Sequence, residues 1–148
     1  MALRPPVEDV GVVDPGFWRG RRVLVTGHSG FKGVWLTLWL QSLGAHVCGL
    51  SGPPPSAPSL YELARVERDV ESFDADIRDP EAVARAVAES RPEVVLHMAA
   101  QALVRRSFAQ PRETYEINTM GTVNLLDAQF GEPRVRRSRE RPHRVAAG

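Results

Sequence analysis

A chain of 148 residues with 43% apolar content can close one hydrophobic core and has no room for a second domain. Its 19 basic and 18 acidic residues give a formal charge of +1, which argues against nucleic acid or a membrane surface as the main partner. The one cysteine, Cys48, excludes an internal disulfide and fits a reducing, cytoplasmic setting, while the longest apolar stretch, Val34 to Leu40 interrupted by Thr37, falls far short of the ~20 residues of a membrane span.

Residues 1–16 are punctuated by Pro and Gly and read as a lead-in, with charges where a signal peptide would be apolar. Phe17 and Trp18 are expected to pack onto the domain. Val23, Leu24 and Val25 then form a short apolar run ended by glycine, the pattern of a strand buried on both faces. Val34, Trp35, Leu38, Trp39 and Leu43 recur near helical spacing over Phe31 to Leu43, and Gly44 stands where a helix takes a terminating glycine. Ala45 to Leu50 is a second strand. Four prolines between Pro53 and Pro58 make a loop. A short helix follows from Leu60 to Val66, and a third strand from Val70 to Asp76. Asp79 as N-cap and Pro80 in the first turn start a helix running to Ser90. Glu93 to His97 is a fourth strand, and Arg112 to Gln129 a further helix. Strands alternating with helices predict an α/β fold with a parallel sheet covered on both faces.

The first strand runs straight into Thr26-Gly27-His28-Ser29-Gly30-Phe31-Lys32-Gly33 and then into a helix. Glycines three apart at that corner have distinct uses. One allows the sharp turn, one lets backbone approach a pyrophosphate, and one lets helix pack close to strand. The helix start offers free N–H groups and a partial positive charge to phosphate. A phosphate-binding P-loop is excluded, because Lys32 precedes the last glycine instead of following it. The fold class is therefore a Rossmann-type doubly wound parallel sheet, incomplete at about four strands.

The TGxxGxxG spacing resembles that of the extended short-chain dehydrogenase/reductases. Asp76-Ile77-Arg78-Asp79 resembles the acidic motif after the third strand. His97-Met98-Ala99-Ala100-Gln101 resembles the fourth-strand motif, and Asn118-Thr119-Met120-Gly121-Thr122 the asparagine-containing helix. From about Phe17 to Ala128 the wording is similar to the nucleotide-sugar 4,6-dehydratases of that superfamily, those acting on CDP-glucose in particular. The resemblance implies NAD as cofactor, a nucleotide sugar as substrate, and homo-oligomers of the full-length parent. It also implies residue roles. Gly27, Gly30 and Gly33 would cradle the pyrophosphate with His28, Phe31 and Lys32 nearby. Asp76 and Ile77 would meet the adenine, and Ala99 and Ala100 would leave room for the nicotinamide. On the residues alone, Asp76 is equally a strand-end aspartate and the alanines equally core residues. Asp79 is taken as a helix cap and Asn118 as structural.

Two features depart from the pattern. The region about 20 residues after the glycines, Cys48-Gly49-Leu50-Ser51-Gly52, lacks the carboxylate that would hold the adenosine ribose and lacks an arginine for a 2′-phosphate, so NAD over NADP follows from the resemblance and not from residues. The superfamily's catalytic tyrosine, with a lysine four residues on, is also missing. Lys32 is the only lysine, and Tyr61 and Tyr115 are followed four residues later by Arg65 and Thr119. No catalytic residue is assigned, and the chain is expected to be inactive by itself.

Family-like text ends near Gln129. Residues 130–148 hold six Arg and two Glu with no apolar period, and 18 of the 19 basic residues of the whole chain are Arg. That tail reads as out-of-frame translation of a GC-rich gene, the alternative being a natural basic tail. Three parts are expected: the lead-in 1–16, a dinucleotide-binding half-domain 17–129, and the tail 130–148. A metal site is not expected, since His46 and Cys48 share a strand face without further ligands at metal spacing, and no G-x-S-x-G elbow marks a hydrolase. A non-catalytic dinucleotide-binding module, or another sugar-nucleotide epimerase or dehydratase, remains the alternative.

Overall fold

A computed structural model describes residues 13–131. The lead-in up to position 12 and the basic tail from position 132 lie outside the described residues.

Four parallel strands form the sheet: β1 (Arg22–Thr26), β2 (His46–Ser51), β3 (Glu71–Asp74) and β4 (Val94–His97), in the order β3-β2-β1-β4. Leu24 stands between Cys48 of β2 and Val95 of β4. Side chains alternate across a strand, so β1 buries Val23 and Val25 on one face and Leu24 on the other. Helix α2 (Phe31–Ser42) covers the first face, where Leu40, Ala45 and Val47 pack on Val23 and Val25. Trp18, from the short helix α1 (Pro15–Trp18), joins this cluster. Helices α4 (Pro80–Ser90) and α7 (Gly121–Phe130) cover the other face with Val83, Val87 and Leu125 against Leu24 and Leu50. Truncating Leu24 to Ala would leave a void at the centre, a change that costs about 2–5 kcal/mol in such cores.

The helix ends follow from local chemistry. Asp79 accepts hydrogen bonds from the N–H groups of Glu81 and Ala82, and Pro80 opens α4. Ser59 and Glu62 cap α3 (Leu60–Leu63) reciprocally. Gly44 leaves α2 at φ +82°, a conformation open to glycine.

Some boundaries differ from expectation. The α3 segment ends at Leu63 and yields to a tight turn at Val66–Arg68, because Arg65 adopts a left-handed conformation. The third strand is shorter, Glu71–Asp74. The long C-terminal helix is present as α6 (Pro111–Tyr115), a wider turn at Glu116–Met120, and α7. Helix α5 (Val104–Ala109) was not expected. Its N-cap, Leu103, supplies no side-chain bond, so the sequence carries no start signal there.

Strands β3 and β4 are the two edges of the sheet, and β4 is the edge beside β1. Met98 N–H donates to the Thr26 carbonyl at 3.0 Å. Alternate residues of a strand address the same side, so Val94 and Leu96 face β1 while Val95 and His97 carry their backbone groups on the open side. No helix among the described residues is long and apolar enough to cross a membrane.

Candidate functional site

The chain reverses its direction of travel across the sheet at β1. It moves outward through β2 and β3, then returns to place β4 on the other flank of β1. Crevices at such reversals, beyond the carboxyl ends of the strands, are where doubly wound sheets take ligands. The glycine corner stands there. Gly27 follows β1 at φ +71° and donates to the Leu50 carbonyl at 2.7 Å, tying the corner to β2. Gly30 donates to the Gly27 carbonyl at 3.0 Å, and Val34 to the Gly30 carbonyl at 2.9 Å, which is the first bond of α2. The cap position of α2 is Gly30, with no side chain to occupy the helix start, so the N–H groups of the first turn remain for a ligand. A Cβ at Gly27 would lie 2.7 Å from the Ala99 nitrogen, and one at Gly33 would run into the Gly27 carbonyl. Bare backbone is therefore required at this corner, which fits a phosphate-bearing group lying against it.

A cleft of about 750 Å³ opens above the strand ends. Gly27, Gly30, Asp76, Ile77, Ala99 and Ala100 are among the residues that line it. The Asp76 carboxylate is held by the Arg78 guanidinium and by the Arg78 N–H at 2.9 Å, and the arginine beside it pulls the carboxyl below its usual range. It is thus a fixed, charged acceptor at the β3 end. Ile77 is buried in the core under α4 and α7, so it presents little more than an edge to the cleft. Gly33 lies beneath the corner, where helix meets strand. Phe31 and Lys32 occupy the first turn of α2 with exposed side chains, outside the cleft lining.

The His28 ring turns away from the cleft into a smaller hollow of about 280 Å³. It sits above Gly49, edge-on to Tyr61, and its burial lowers its pKa. Its hydrogen bonds run in one direction. Ser29 hydroxyl donates to the Gly52 carbonyl at 3.0 Å, and Ser51 donates to Ser29 at 2.9 Å. Each hydroxyl has one proton, so Ser51 accepts from His28 Nδ1 at 3.0 Å. His28 Nε2 must then accept from Ser72 at 2.9 Å, and Ser72 from Tyr61 at 3.1 Å. The relay fixes Ser29, Ser51 and Gly52, three cleft-lining residues that the sequence motifs did not single out. Arg85 of α4 also lines the cleft. By sequence such a cation is expected only after the second strand, and the fold delivers one from the helix beyond the third.

The other end of the cleft is pinned from α6 and α7. Thr26 hydroxyl accepts from the N–H groups of Met98 and Ala99 at 3.1 and 3.2 Å, so its proton goes to His97 Nδ1 at 2.6 Å. His97 Nε2 then donates to Thr122 at 3.1 Å, and Thr122 donates to the Asn118 carbonyl at 2.7 Å. Burial lowers the His97 pKa and keeps this ring neutral. Asn118 clamps the Gln101 backbone on both sides, accepting from its N–H at 2.8 Å and donating to its carbonyl at 3.1 Å. Gln101 in turn closes the loop onto Leu103 and Thr114. Through its two bonds the Asn118 side chain holds the Gln101 backbone at the end of the segment that follows β4.

Three comparisons bear on this arrangement. Residues 24–138 match the family model for GDP-mannose 4,6 dehydratase. CDP-glucose 4,6-dehydratase of Salmonella typhimurium is 53% identical over 116 residues, covering 78% of this chain and 32% of that protein. Among solved structures, the Thermus thermophilus UDP-glucose 4-epimerase complex with NAD superposes with a TM-score of 0.64 at 41% identity, over 72% of this chain and 33% of that one. The Stenotrophomonas maltophila UDP-glucose-4-epimerase with bound NAD and formylated UDP-arabinopyranose gives 0.66 at 30% identity, over 74% and 33%. The chain thus spans about a third of the length of the proteins it matches. It belongs to the GDP-mannose 4,6 dehydratase family, within the extended short-chain dehydrogenase/reductases.

Proposed function

We infer that this chain forms the NAD-binding part of a cytoplasmic nucleotide-sugar 4,6-dehydratase, a lyase of deoxysugar formation acting on CDP-glucose. The observation that carries the reading is the side-chain-free glycine corner at the sheet's reversal point, opening on a cleft lined by Asp76 at one end and Ala99 and Ala100 at the other. NAD in two similar epimerase structures and 53% identity to a CDP-glucose 4,6-dehydratase support it. When bound, NAD supplies a hydride acceptor for the sugar. The chain's own residues do the rest of what is present here. Gly27, Gly30 and the start of α2 receive the pyrophosphate, the Asp76 carboxylate accepts from the adenine amino group, and the clamped Ala99–Ala100 segment seats the nicotinamide. The Arg78 contact leaves Asp76 ionised and fit to accept.

The Tyr-x-x-x-Lys pair is absent from the 148 residues. Cofactor binding without sugar turnover is therefore the expected behaviour, and the parent enzyme would be a homo-oligomer carrying the pair on its remaining part. The second reading is a sugar-nucleotide epimerase, favoured by the similar epimerase structures. Calorimetric titration of the purified chain with NAD and with NADP tests the binding claim. Saturable NAD binding that Gly30→Val abolishes supports it, and absence of NAD binding by a folded chain overturns it. Supplying the matching C-terminal part of the Salmonella dehydratase in trans separates the two activities: a 4-keto-6-deoxy product from CDP-glucose supports dehydratase, and epimerised UDP-glucose supports the second reading.

A further inference from the structure

We propose that Ser29 and Ser51 form the acceptor for the adenosine ribose of the dinucleotide, and that His28 is the positioning residue that leaves their lone pairs free for it. On the NAD-binding reading, on which this rests, the adenine lies at the end of β3 and the pyrophosphate at the end of β1. Strand β2 stands between those two strands, so the ribose that joins the two groups crosses the end of β2. Ser51 closes that strand, and together with Ser29 it lines the cleft. Neither is the carboxylate that usually receives a ribose at this place.

Strand register explains how a histidine of the glycine corner controls that rim. Gly49 and Ser51 address the same face of β2, and Gly49 pairs with Ser72 of β3. Gly49 is bare, so the His28 ring can lie over it, and a Cβ added there would run into the ring. From that seat Nδ1 reaches Ser51 at 3.0 Å and Nε2 reaches Ser72 at 2.9 Å. The Gly52 carbonyl, which can only accept, anchors the order of the protons. It takes the proton of Ser29 at 3.0 Å, Ser29 takes that of Ser51 at 2.9 Å, and Ser51 takes that of His28. Every proton of the rim is thereby used. A hydroxyl oxygen has two lone pairs and each serine spends one in the relay, so one remains on each. Two acceptors 2.9 Å apart suit a cis-diol, whose two hydroxyls are donors at close to that spacing. Ser29 is 9% exposed and bonded on both sides, so the pair is set before a ligand arrives. Asp74, the β3 partner of Ser51 in register, also lines the cleft and is the competing acceptor. It is exposed at the strand end, where water competes for its carboxylate.

Calorimetric titration of the full 148-residue chain with NAD, and with NAD analogues lacking the 2′- or the 3′-hydroxyl of the adenosine ribose, tests this. Each analogue is expected to bind about three- to tenfold more weakly than NAD, the worth of one neutral hydrogen bond. In Ser29→Ala and Ser51→Ala the loss for at least one analogue is expected to shrink to within about twofold. The ratio of the two affinities is the readout, because a variant that only loosens the fold weakens NAD and analogue alike. His28→Leu, which removes the donor to Ser51, is expected to shrink the ratio too, whereas His28→Asn, whose amide nitrogen replaces Nδ1, keeps it. Analogues that bind as tightly as NAD overturn the proposal. A ratio unchanged in both serine variants also overturns it, and one erased by Asp74→Asn in their place hands the ribose to Asp74. A ratio kept in His28→Leu removes the positioning role of His28. A folded chain that binds neither NAD nor its analogues overturns the NAD-binding reading as well, while NAD binding that Gly30→Val abolishes, without preference for the ribose hydroxyls, overturns this proposal alone.

Discussion

Gly30 and Gly33 differ in a way that separates binding from folding. Gly30 has φ −76° and ψ 162°, a region open to any residue, and an added Cβ would meet only the Gly27 carbonyl at 3.3 Å. Its cost to the fold is small. A glycine cap is worth no more than about 1 kcal/mol over alanine, and a neighbour yielding a few tenths of an ångström adds less than ~1 kcal/mol. Its cost to the cleft is large, because the new side chain enters the space that the proposed site gives to the pyrophosphate. Gly33 has the reverse profile. It does not line the cleft, and its Cβ would be driven into the backbone of Gly27 and His28. Overpacking of that kind costs about 1–3 kcal/mol, and against backbone the upper end applies. For a domain of this size that lowers the melting temperature by roughly 5–15 °C. Gly30→Val is therefore expected to keep its melting temperature within about 5 °C while NAD affinity falls at least tenfold, a loss of ~1.4 kcal/mol or more. Gly33→Ala is expected to melt early, with its binding loss following its loss of fold. Thermal melts beside NAD titrations decide the matter. If Gly30→Val bound NAD as tightly as wild type, the corner would not be where the phosphates sit.

Three other perturbations follow from the same geometry. Thr37 is fully buried in α2 and its hydroxyl has no partner among the described residues, so the near-isosteric Thr37→Val should raise stability by about 1 kcal/mol in a denaturant melt. Asn118→Ala strips both partners from the Gln101 backbone, a loss of about 1–3 kcal/mol, and hydrogen exchange at the Gln101 amide should speed up accordingly. Stability should also fall with acid. His28 and His97 have folded pKa values depressed by burial, so the unfolded chain binds more protons and stability declines as pH drops below the ordinary 6.5. Asp76 acts with the same sign but only lower, since its depressed pKa contributes above its ordinary 3.8 and is lost beneath it. Melting temperatures at about pH 5 and about pH 7 should differ, and His28→Asn with His97→Asn together should flatten the profile.

The central strands β1 and β2 were legible because each carried an apolar run that burial explains. Val23-Leu24-Val25 reads as a strand buried on both sides, and so it is. The glycine corner was legible for a related reason, since glycine spacing records where side chains cannot go. What remained hidden depends on distance in space. His28 is adjacent to Gly27 in sequence and therefore was placed near the phosphates, yet the turn that exposes the backbone of Gly27 sends the next side chain to the opposite side, under β2 and β3. Arg85 stood in a helix read from its start signals, Asp79 and Pro80, which say nothing of where its polar residues point. Helix α5 has neither a polar cap nor a strong period, and the loop beside it is ordered by Asn118, 17 residues from Gln101.

The missing carboxylate after β2 has a physical counterpart in the hydroxyl relay. A ribose-binding acid would place negative charge at Ser51 or Gly52. Instead the relay from Tyr61 through Ser72, His28 and Ser51 to Ser29 ends on the Gly52 carbonyl and holds that loop against the glycine corner. The relay puts no carboxylate at Ser51 or Gly52 themselves, and the Asp74 carboxylate, on the β3 partner of Ser51, is offset by Arg85 in the same cleft, so no single charge dominates there. Discrimination against NADP should therefore be shallow. The NADP dissociation constant is expected within about tenfold of that for NAD, and Ser51→Asp should widen the gap by a further tenfold or more, since one misplaced charge pair is worth ~1–2 kcal/mol in such a partly exposed setting. A wild-type preference for NAD far above a hundredfold in competition titrations would show that some group other than this rim excludes the extra phosphate.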